Sequence, residues 1–465
     1  MTAADEIPGR CGREESTIMD NGNSRTRDSR KGDEYHALLA RRDAMRLRDQ
    51  MLAPSRAVEK TKSPTYDAYD GAADQELIVQ NLAAVTPFSE LIAHLYDAMF
   101  ERHPYLRQLF PESMEFQKAH LERAFWFLIE HLHKPEEITT FCTQLGRDHR
   151  KLGVQPVHFQ VFEVALSEAM YRMSGGRVDQ EVEQAWLRMV RFAAAGMVAG
   201  SKRALAEPPA WHGTVTSHQL RRPDLAVIRV RTAEPYPYQP GQYATIESPL
   251  LPHTWRPYTF ATVPAPDGEL EFHIRRTGPG GVSDAMTLHT RVGDTLRLGP
   301  PQGTATLDDD QGRDVLIVAG GTGWATGRAL LEDLSQRRAP GRRAHLFLGA
   351  RTSEDLYDAQ ALSRLENRCP WLRVVPVISD GPGASPDGSV AEAIARHGDF
   401  SQHIAYVSGP PAMVTAAVWR LAGLGLPADR IRHDPVAGMV PLPSHAQRTR
   451  PTGPAVGHMA EGAQV

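Results

Sequence analysis

Cysteine and long apolar runs are both scarce in this sequence. Its 465 residues include three cysteines, Cys11, Cys142 and Cys369, which are too scattered for a disulfide framework or a CxxC metal site. No apolar run approaches the length of a membrane span, and the N-terminus lacks the apolar core of a signal peptide. We therefore expect a cytoplasmic protein without a membrane span.

An excess of either charge is also lacking. The formal net charge is −4, with 41% hydrophobic and 23% charged residues. Such a balance gives no reason to expect nucleic acid or an anionic surface as a partner. The length predicts about three domains, and we expect a monomer or a weak dimer.

The first 75 residues contain few large apolar side chains. Residues 1–33 are polar and cannot offset the entropy lost on ordering. Residues 34–52 place several Leu and Met side chains among many charges, which predicts a short amphipathic helix, either solvated or packed on the body or on a partner. We expect a disordered or helical extension over residues 1–75, without chemistry, and a disordered tail over residues 441–465.

Residues 78–205 show only helical periods. Leu91, Leu95 and Met99 recur at the spacing of one helix face, and further stripes of this kind follow before residue 200. Prolines and glycine pairs interrupt the pattern where loops belong. Because no strand pattern intrudes, this block predicts an all-α domain.

One histidine in this block is a candidate ligand for haem iron. His149 lies near the end of a predicted helix, in the stretch Leu145-Gly-Arg-Asp-His-Arg-Lys-Leu, and Pro156 opens the next helix. An imidazole placed in this way can hold haem iron from one side. A lone His is more often a surface or capping residue, so the residues alone leave both interpretations open.

From about residue 210 to residue 308 the pattern changes to short strands. Leu270, Phe272 and Ile274 alternate with polar residues, and Gly- and Pro-rich turns separate the strand-like runs. Short strands joined by such turns predict an antiparallel β-barrel.

A strand-like run within this block, Trp255–Thr259, carries chemistry. Arg256 is followed two residues later by Tyr258 and then by Thr259. An Arg can fork onto a pyrophosphate, a Tyr ring can lie on an aromatic cofactor, and a hydroxyl can bond a ring edge or a phosphate. A buried strand without a ligand is the alternative for this run taken alone.

Residues 312–440 alternate between apolar strands and helix-like segments. The apolar strands are 315–319, 345–348, 374–378 and 404–407. Alternation of this kind predicts a parallel sheet covered on both faces, with ligands at the carboxyl ends of its strands. The glycine-rich loop Gly320–Ala325 follows the first strand, where backbone N–H groups can cradle a pyrophosphate.

These motifs, in this order and at this spacing, resemble the flavin-binding and nicotinamide-binding modules of the ferredoxin-reductase-like family. The resemblance places Arg256 on the FAD pyrophosphate, Tyr258 against the flavin ring, and Thr259 where the family has Ser. It implies further FAD-binding roles for Pro257, for Gly281, Val282 and Ser283 at a helix start, and for Tyr243 on the adenine or ribityl side. It implies NAD(P)H binding by Gly320, Gly321, Thr322, Gly323, Trp324, Ala325, Ser408, Gly409 and Pro410.

The helical block resembles the globin domain of the flavohaemoglobins. His149 matches the proximal ligand of the haem iron, and Tyr96 matches the distal Tyr of the second helix. Phe110 matches the Phe that wedges against the haem. Gln117, 32 residues before His149, falls at the distal Gln position, and His120, one turn further on, is the alternative there.

Together the three blocks resemble a flavohaemoglobin, and the sequence is identified as a divergent member of that family. The resemblance implies haem b, FAD and NAD(P)H as cofactors. It also implies that NAD(P)H reduces FAD, that FAD reduces the haem iron, and that O₂ bound there converts nitric oxide to nitrate. Tyr96 and Gln117 are the catalytic candidates, because both can donate hydrogen bonds to an oxygen atom that carries partial negative charge.

Several positions depart from the family pattern. Phe159 stands where the family has a Tyr, and residues 200–203 stand where it has a Glu. Those two polar groups normally bond the proximal His, so we expect His149 to be a weaker donor and O₂ activation to be slower. Further replacements are Asp148 for a frequent Lys, Ser408 for a Cys and Val436 for a flavin-stacking aromatic residue. We expect Ser408 to slow hydride transfer and Val436 to open the flavin face to nicotinamide.

Two other functions remain open. In one, the flavin serves another donor or acceptor and the globin senses O₂ or redox state. In the other, the chain is a haem-based sensor whose N-terminal extension docks a partner, and a three-domain chain without haem is the remaining alternative. The choice between NADH and NADPH is open as well, because Arg351 and the pair Arg342-Arg343 can each meet a 2′-phosphate or remain solvated.

Overall fold

The computed structural model describes residues 69–307, 312–337, 341–381, 383–386 and 388–434. The chain from Asp70 onwards forms one of its two units. Most of the predicted N-terminal extension, Val436 and the predicted tail lie outside the described residues. Across the described ranges, no helix combines the length and the apolar character that a membrane crossing needs.

The first part of the described chain is helical. Its α-helices are α1 (Gly71–Gln80), α2 (Phe88–Arg102), α3 (Glu115–His131), α4 (Pro135–His149), α5 (Pro156–Ser174) and α6 (Gln180–Arg203). Leu91, Leu95 and Met99 are all buried on α2, which confirms the helical period. Helix α1 begins within the stretch predicted as an extension, and Arg188 of α6 binds it by donating to Asp74 at 3.0 Å.

Helices α4 and α6 pack at backbone contact. A Cβ atom at Gly146 would lie 2.0 Å from the carbonyl oxygen of Met197, and one at Gly200 would lie 1.9 Å from that of Thr143. Only glycine allows two helices to approach this closely. The contact fixes the last turns of α4, which carry His149. It also leaves no room for a side chain at Gly200, in the stretch where the family's Glu is missing.

The middle part is a closed antiparallel sheet. Its strands are β1 (Trp211–Arg222), β2 (Leu225–Thr232), β3 (Tyr243–Glu247), β4 (Trp255–Thr259), β5 (Glu269–Arg275) and β6 (Thr295–Leu298), in the order β4-β3-β6-β1-β2-β5. A bridge between Phe260, just after β4, and Phe272 of β5 joins the two edge strands. The predicted antiparallel barrel is confirmed, and a short helix, α7 (Val282–Asp284), follows β5.

The last part is a parallel sheet with helices on both faces. Its elements are β7 (Val315–Gly320), α8 (Trp324–Arg337), β8 (Ala344–Ala350), α9 (Ala359–Arg368), β9 (Leu372–Ile378), α10 (Val390–His397), β10 (Ile404–Ser408), α11 (Pro411–Gly423) and β11 (Ile431–Arg432). The strand order is β11-β10-β7-β8-β9. Successive strands are therefore added to one side of β7 up to β9 and to its other side from β10 onwards. Parallel sheets bind ligands at this switch point, between β7 and β10. The predicted α/β fold is confirmed.

Candidate functional site

His149 ends α4, and its ring is hydrogen-bonded to the backbone. Its Nδ1 lies 2.8 Å from the carbonyl oxygen of Leu145. Because a carbonyl only accepts, Nδ1 carries the proton and Nε2 keeps its lone pair. Burial lowers the pKa of His149, which keeps the ring neutral and able to ligate a metal. The residue is half-buried by accessible surface. These features fit a haem ligand.

Tyr96 of α2 packs against two phenylalanines. Its ring centroid lies 5.6 Å from that of Phe110 and 5.9 Å from that of Phe100. The residue is buried, and burial raises the pKa of its hydroxyl well above the ordinary value. The hydroxyl therefore stays protonated and able to donate a hydrogen bond. The structure thus brings Tyr96 and Phe110 together, as the resemblance implies.

Gln117 and His120 lie in different environments at the start of α3. The Oε1 atom of Gln117 is buried and has no hydrogen-bond partner among the described residues. A polar atom left in this state is costly unless a ligand satisfies it. His120 is exposed, and its Nδ1 lies 2.8 Å from the carbonyl oxygen of Phe116 and 2.9 Å from the guanidinium of Arg123. This arrangement favours Gln117 for the distal position, which stays a prediction.

The flavin motif lies on β4, at the contact with the helical part. Arg256 and Tyr258 are both half-buried, and the alternation of a strand puts them on one face, while Pro257 between them is exposed. The Arg256 guanidinium lies 3.8 Å from the ring centroid of Phe116 in α3, and its Nη1 donates to the carbonyl oxygen of Trp255 at 2.9 Å. The pyrophosphate role of Arg256 and the role of Thr259 at the end of β4 stay predictions.

Gly281, Val282 and Ser283 form the start of α7, as the resemblance implies. A Cβ atom at Gly281 would meet nothing within 4 Å, so open space lies beside this turn. The Ser283 hydroxyl lies 2.9 Å from that of Thr277 and so supports the preceding loop. The first N–H groups of a helix have no partner within it, so this turn can offer backbone donors to a phosphate.

Tyr243 begins β3 and lies close to the end of the described chain. Its hydroxyl donates to the Oε1 atom of Gln302 at 3.2 Å, and burial raises its pKa to about 12. Burial also raises the pKa of Asp434, to about 6, and that carboxylate lies near enough to act on Tyr243. The structure therefore places Asp434 beside a predicted FAD-binding residue.

The two predicted nucleotide-binding segments meet at the ends of β7 and β10. These strands are parallel neighbours, with Ser408 opposite Ala319. A Cβ atom at Gly323 would lie 2.3 Å from the carbonyl oxygen of Ser408, so the close packing of the loop on residues 408–410 requires glycine. The hydroxyls of Thr326 and Ser408 are 3.0 Å apart. Because helix α8 begins at this loop, its N-terminus faces the position where a nucleotide pyrophosphate is expected.

A cleft beside this loop extends to the segment that follows β8. It is lined by Gly321, Trp324, Leu348, Gly349 and residues 355–359. Trp324 is buried, and its Nε1 donates to the carboxylate of Asp358 at 2.9 Å. Thr322 is half-buried in the loop, and Ala325 is buried in α8. The loop, the start of α8 and the segment after β8 therefore surround one cleft.

Of the arginines considered for a 2′-phosphate, only Arg351 lies at the carboxyl end of the sheet. It follows the last residue of β8, and 70% of its side chain is exposed. Arg342 and Arg343 precede β8, where Arg342 donates to the carbonyl oxygen of Arg313 at 2.6 Å and Arg343 pairs with Asp314 at 3.2 Å. That position at the amino end excludes the pair from a ligand site at the carboxyl ends.

A buried carboxylate on β5 is a feature that the sequence did not indicate. Glu271 accepts from Arg328 of α8 at 2.6 Å and from Arg229 of β2 at 2.8 Å, and its Oε1 lies 3.1 Å from Nε2 of His273. Burial alone would raise the pKa of Glu271, but the hydrogen bond from His273 and the two arginines lower it to about 2. Because α8 follows the glycine loop, this group joins the barrel to the nucleotide-binding part.

Three protein-family descriptions match successive parts of the chain. A globin family matches residues 93–197, an oxidoreductase FAD-binding domain matches residues 212–307, and an oxidoreductase NAD-binding domain matches residues 317–418. The matches follow the helical part, the barrel and the parallel sheet in that order.

Relatives are found among curated proteins and solved structures. The ferredoxin–NAD(P)(+) reductase component of the naphthalene 1,2-dioxygenase/salicylate 5-hydroxylase systems of Ralstonia sp. is 35% identical over 226 residues, which are 48% of this chain and 67% of that protein. The reductase component of the naphthalene 1,2-dioxygenase system of Pseudomonas putida is 34% identical over 225 residues, with the same coverage. The structure of flavohemoglobin from Malassezia yamatoensis, with bound FAD and heme, has a TM-score of 0.65 at 15% identity, covering 78% of this chain and 98% of that one.

The similarity to that flavohemoglobin shows the fold, and the two reductase components show the family of the flavin- and nucleotide-binding parts. Globin, FAD-binding and NAD-binding domains make haem, FAD and NAD(P)H the cofactors. The chain therefore belongs to the family of NAD(P)H-dependent flavin oxidoreductases, and it has the globin, FAD-binding and NAD-binding domains of a flavohaemoglobin.

Proposed function

We propose that this oxidoreductase uses NAD(P)H, through FAD, to reduce the globin haem and to dioxygenate nitric oxide to nitrate. The observation that carries the proposal is the contact between the helical part and the barrel beside the predicted iron ligand. Gln302 accepts a hydrogen bond from Tyr243 at 3.2 Å and donates one at 2.5 Å to Asp148, the residue before His149. These hydrogen bonds lead from a predicted FAD-binding residue to the neighbour of the predicted iron ligand, which supports electron transfer between the two sites.

When bound, the nucleotide, the flavin and the haem would supply the hydride, electron-transfer and oxygen chemistry. The residues of the chain position these cofactors and stabilise the charges that develop during the reaction. The loop at Gly320–Gly323 and the start of α8 offer backbone N–H groups to a pyrophosphate. The hydrogen bond from His149 to the Leu145 carbonyl orients the ring and leaves Nε2 as the atom that would hold the haem iron.

Two further groups of the helical part, both predicted for the haem site, can act on the oxygen substrate. The Tyr96 hydroxyl stays protonated because burial raises its pKa, so it can donate a hydrogen bond. The Gln117 amide carries an N–H₂ donor beside its Oε1 atom, which is buried and has no partner among the described residues. Donors placed in advance stabilise negative charge as it develops on oxygen, and they need no reorganisation at that moment.

The surroundings of His149 predict a slower oxygen reaction than in a chain with the family's Tyr and Glu. The acceptor for its Nδ1–H is the neutral carbonyl of Leu145, at 2.8 Å. A carbonyl increases the basicity of the ligand ring less than a carboxylate does. Phe159 has no hydroxyl to offer, and Gly200 has no space for a side chain.

The test is anaerobic stopped-flow mixing of the purified protein with NADH and, separately, with NADPH. Absorbance is followed at the flavin and Soret bands, and a pulse of O₂ and nitric oxide is added afterwards. We expect flavin bleaching, then haem reduction, then rapid loss of nitric oxide with formation of nitrate. Haem that dithionite reduces but NAD(P)H does not would contradict the proposal.

The curated relatives favour a second candidate function. Their names describe ferredoxin–NAD(P)(+) reductase components of oxygenase systems. In this alternative the flavin passes electrons to a separate acceptor, and the globin acts as an O₂ or redox sensor. Rapid NAD(P)H-driven reduction of an added ferredoxin, with the haem left oxidised in the same mixture, would support the alternative over the dioxygenase.

A further inference from the structure

A lysine close to the predicted iron ligand is buried between the helical part and the barrel. Lys151 lies in the 3₁₀ turn Arg150–Leu152 that follows α4, and only 3% of its side chain is exposed. Lysine is almost never buried to this extent unless its charge is paired. The groups that pair with the Lys151 charge therefore indicate the role of this residue.

The ammonium group of Lys151 has three partners, two of them in the barrel. Its Nζ donates to Oδ1 of Asp148 at 2.5 Å and to the hydroxyl of Thr245 in β3 at 2.6 Å. It also lies 4.9 Å from the ring centroid of Trp255 in β4, within the range of a cation–π contact. Two hydrogen bonds and one cation–π contact thus compensate the buried charge.

A second set of hydrogen bonds joins the same segment to the barrel. Asp148 also accepts from Nε2 of Gln302 at 2.5 Å, and Gln302 in turn accepts from the Tyr243 hydroxyl at 3.2 Å. Arg297 of β6 donates to the carbonyl oxygen of Lys151 at 3.1 Å. The side chains of Asp148 and Lys151, on either side of His149, and the Lys151 carbonyl are therefore bonded to the barrel.

These bonds reach the face of β3 that carries a predicted flavin-binding residue. Tyr243 and Thr245 are two residues apart on β3, so both lie on the same face of the strand. The alternate residues, Ala244 and Ile246, belong to the barrel core. A shift of the His149 segment relative to the barrel would break these bonds, and it would also move the two predicted cofactor sites relative to each other.

We propose that Asp148, Lys151, Thr245 and Gln302 form an interdomain clamp in which Lys151 is a positioning residue. The Lys151 clamp holds the segment that contains the iron ligand against the flavin barrel, and so sets the geometry for electron transfer from flavin to haem. Its effect on electron transfer rests on the proposed function. Its effect on the placement of His149 does not.

The first test compares two variants of the holoenzyme with a matched control. Lys151→Met removes the charge but keeps much of the side-chain volume, and Thr245→Val removes one acceptor with little change of shape. The control is Lys134→Met at the other end of α4, where Lys134 pairs with Glu137 at the same spacing of three residues, at 3.0 Å and half-exposed. We expect the flavin-to-haem step to slow about 10-fold in Lys151→Met and by less in Thr245→Val, and to be unchanged in the control. Flavin reduction by the nucleotide should keep its rate in all three.

A second measurement does not depend on turnover. The iron–histidine stretching band of the reduced haem, recorded by resonance Raman spectroscopy, reports the placement of His149. Hydrogen exchange at the amides of residues 149–152 and 243–247 reports the contact itself. We expect Lys151→Met and Thr245→Val to shift the band and to speed exchange in both segments, whereas the control changes neither.

The outcomes separate the clamp from the proposed function. An unchanged stretching band with unchanged exchange in folded Thr245→Val and Lys151→Met would overturn the clamp. If Lys151→Met does not fold, Thr245→Val decides by the same two readouts. If the unmodified protein passes no electrons from flavin to haem, the proposed function fails, and the band and the exchange rates still decide whether Lys151 positions His149.

Discussion

Replacement of Glu271 by Gln is the sharpest test of how the barrel is joined to the nucleotide-binding part. Only 4% of the Glu271 side chain is exposed, and Arg229, Arg328 and His273 surround its carboxylate. Gln keeps the shape of the side chain but removes the charge that pairs with two arginines. Arg328 is itself largely buried, so the change leaves its positive charge with less compensation from neighbouring carboxylates.

The magnitude follows from the pKa of Glu271. The folded protein lowers that pKa from 4.5 to about 2. A pKa difference of about 2.5 corresponds, at 1.36 kcal/mol for each pKa unit, to about 3 kcal/mol of stabilisation at pH 7. Because the folded pKa lies below the unfolded one, this stabilisation is complete above about pH 4.5 and is lost as the pH falls towards 2. Breaking a buried pair typically costs about the same, roughly 3–5 kcal/mol.

The assay is chemical unfolding of the holoenzyme at pH 7 and near pH 3, with Glu269→Gln as the control. Glu269 lies two residues away on the same strand, is more exposed at 21%, and pairs with Arg229 and Arg231 at 3.5 and 3.8 Å. We expect Glu271→Gln to lower the free energy of unfolding by about 3 kcal/mol at pH 7 and by roughly half of that near pH 3. The control should cost less than about 1 kcal/mol. Equal penalties for the two variants, or a penalty for Glu271→Gln that does not change with pH, would refute the reasoning.

Three further predictions concern the predicted cofactor sites and the pH dependence. His149→Ala should abolish the Soret band and leave bound FAD in place, and a native haem spectrum would rule out the proximal assignment. Arg256→Ala should lower the FAD content measured after denaturation, and unchanged flavin would count against the pyrophosphate role. His403 is buried and His345 is half-buried, with their ring centroids 5.6 Å apart, and desolvation lowers the pKa of both. The stability that they contribute is therefore present above about pH 6.5 and is lost as the pH falls below it. His403→Phe should therefore flatten the fall of the thermal midpoint between pH 7 and pH 5, and identical profiles for variant and parent would contradict this.

The sequence by itself determined the fold class and the order of the parts. Helical spacing of Leu91, Leu95 and Met99 corresponds to one buried face of α2, and the alternation around Phe272 corresponds to β5. The strand-then-glycine pattern at Gly320 correctly indicated the end of the first parallel strand. Such periods can be read because each reflects the geometry of one helix or strand, which neighbouring residues decide.

Other features were decided only by the tertiary structure. Alternation along β5 places Glu271 on the polar face of that strand, but α8 covers this face and supplies Arg328, 57 residues further along the chain. Lys151 has the sequence setting of a solvated charge after a helix, yet its partner Thr245 is 94 residues away. Asp148 and Gln302 are 154 residues apart.

The physical reason is the range of the interactions. Whether a charge is buried, and which group compensates it, depends on the surfaces that distant segments bring to it, and no local period encodes that. The same holds for Arg256, which packs on the Phe116 ring in another part of the chain. The sequence therefore determined which residue types were available for haem, flavin and nucleotide chemistry. Only the tertiary structure decided that Asp148 and Lys151, beside the predicted iron ligand, would be bonded to the flavin barrel.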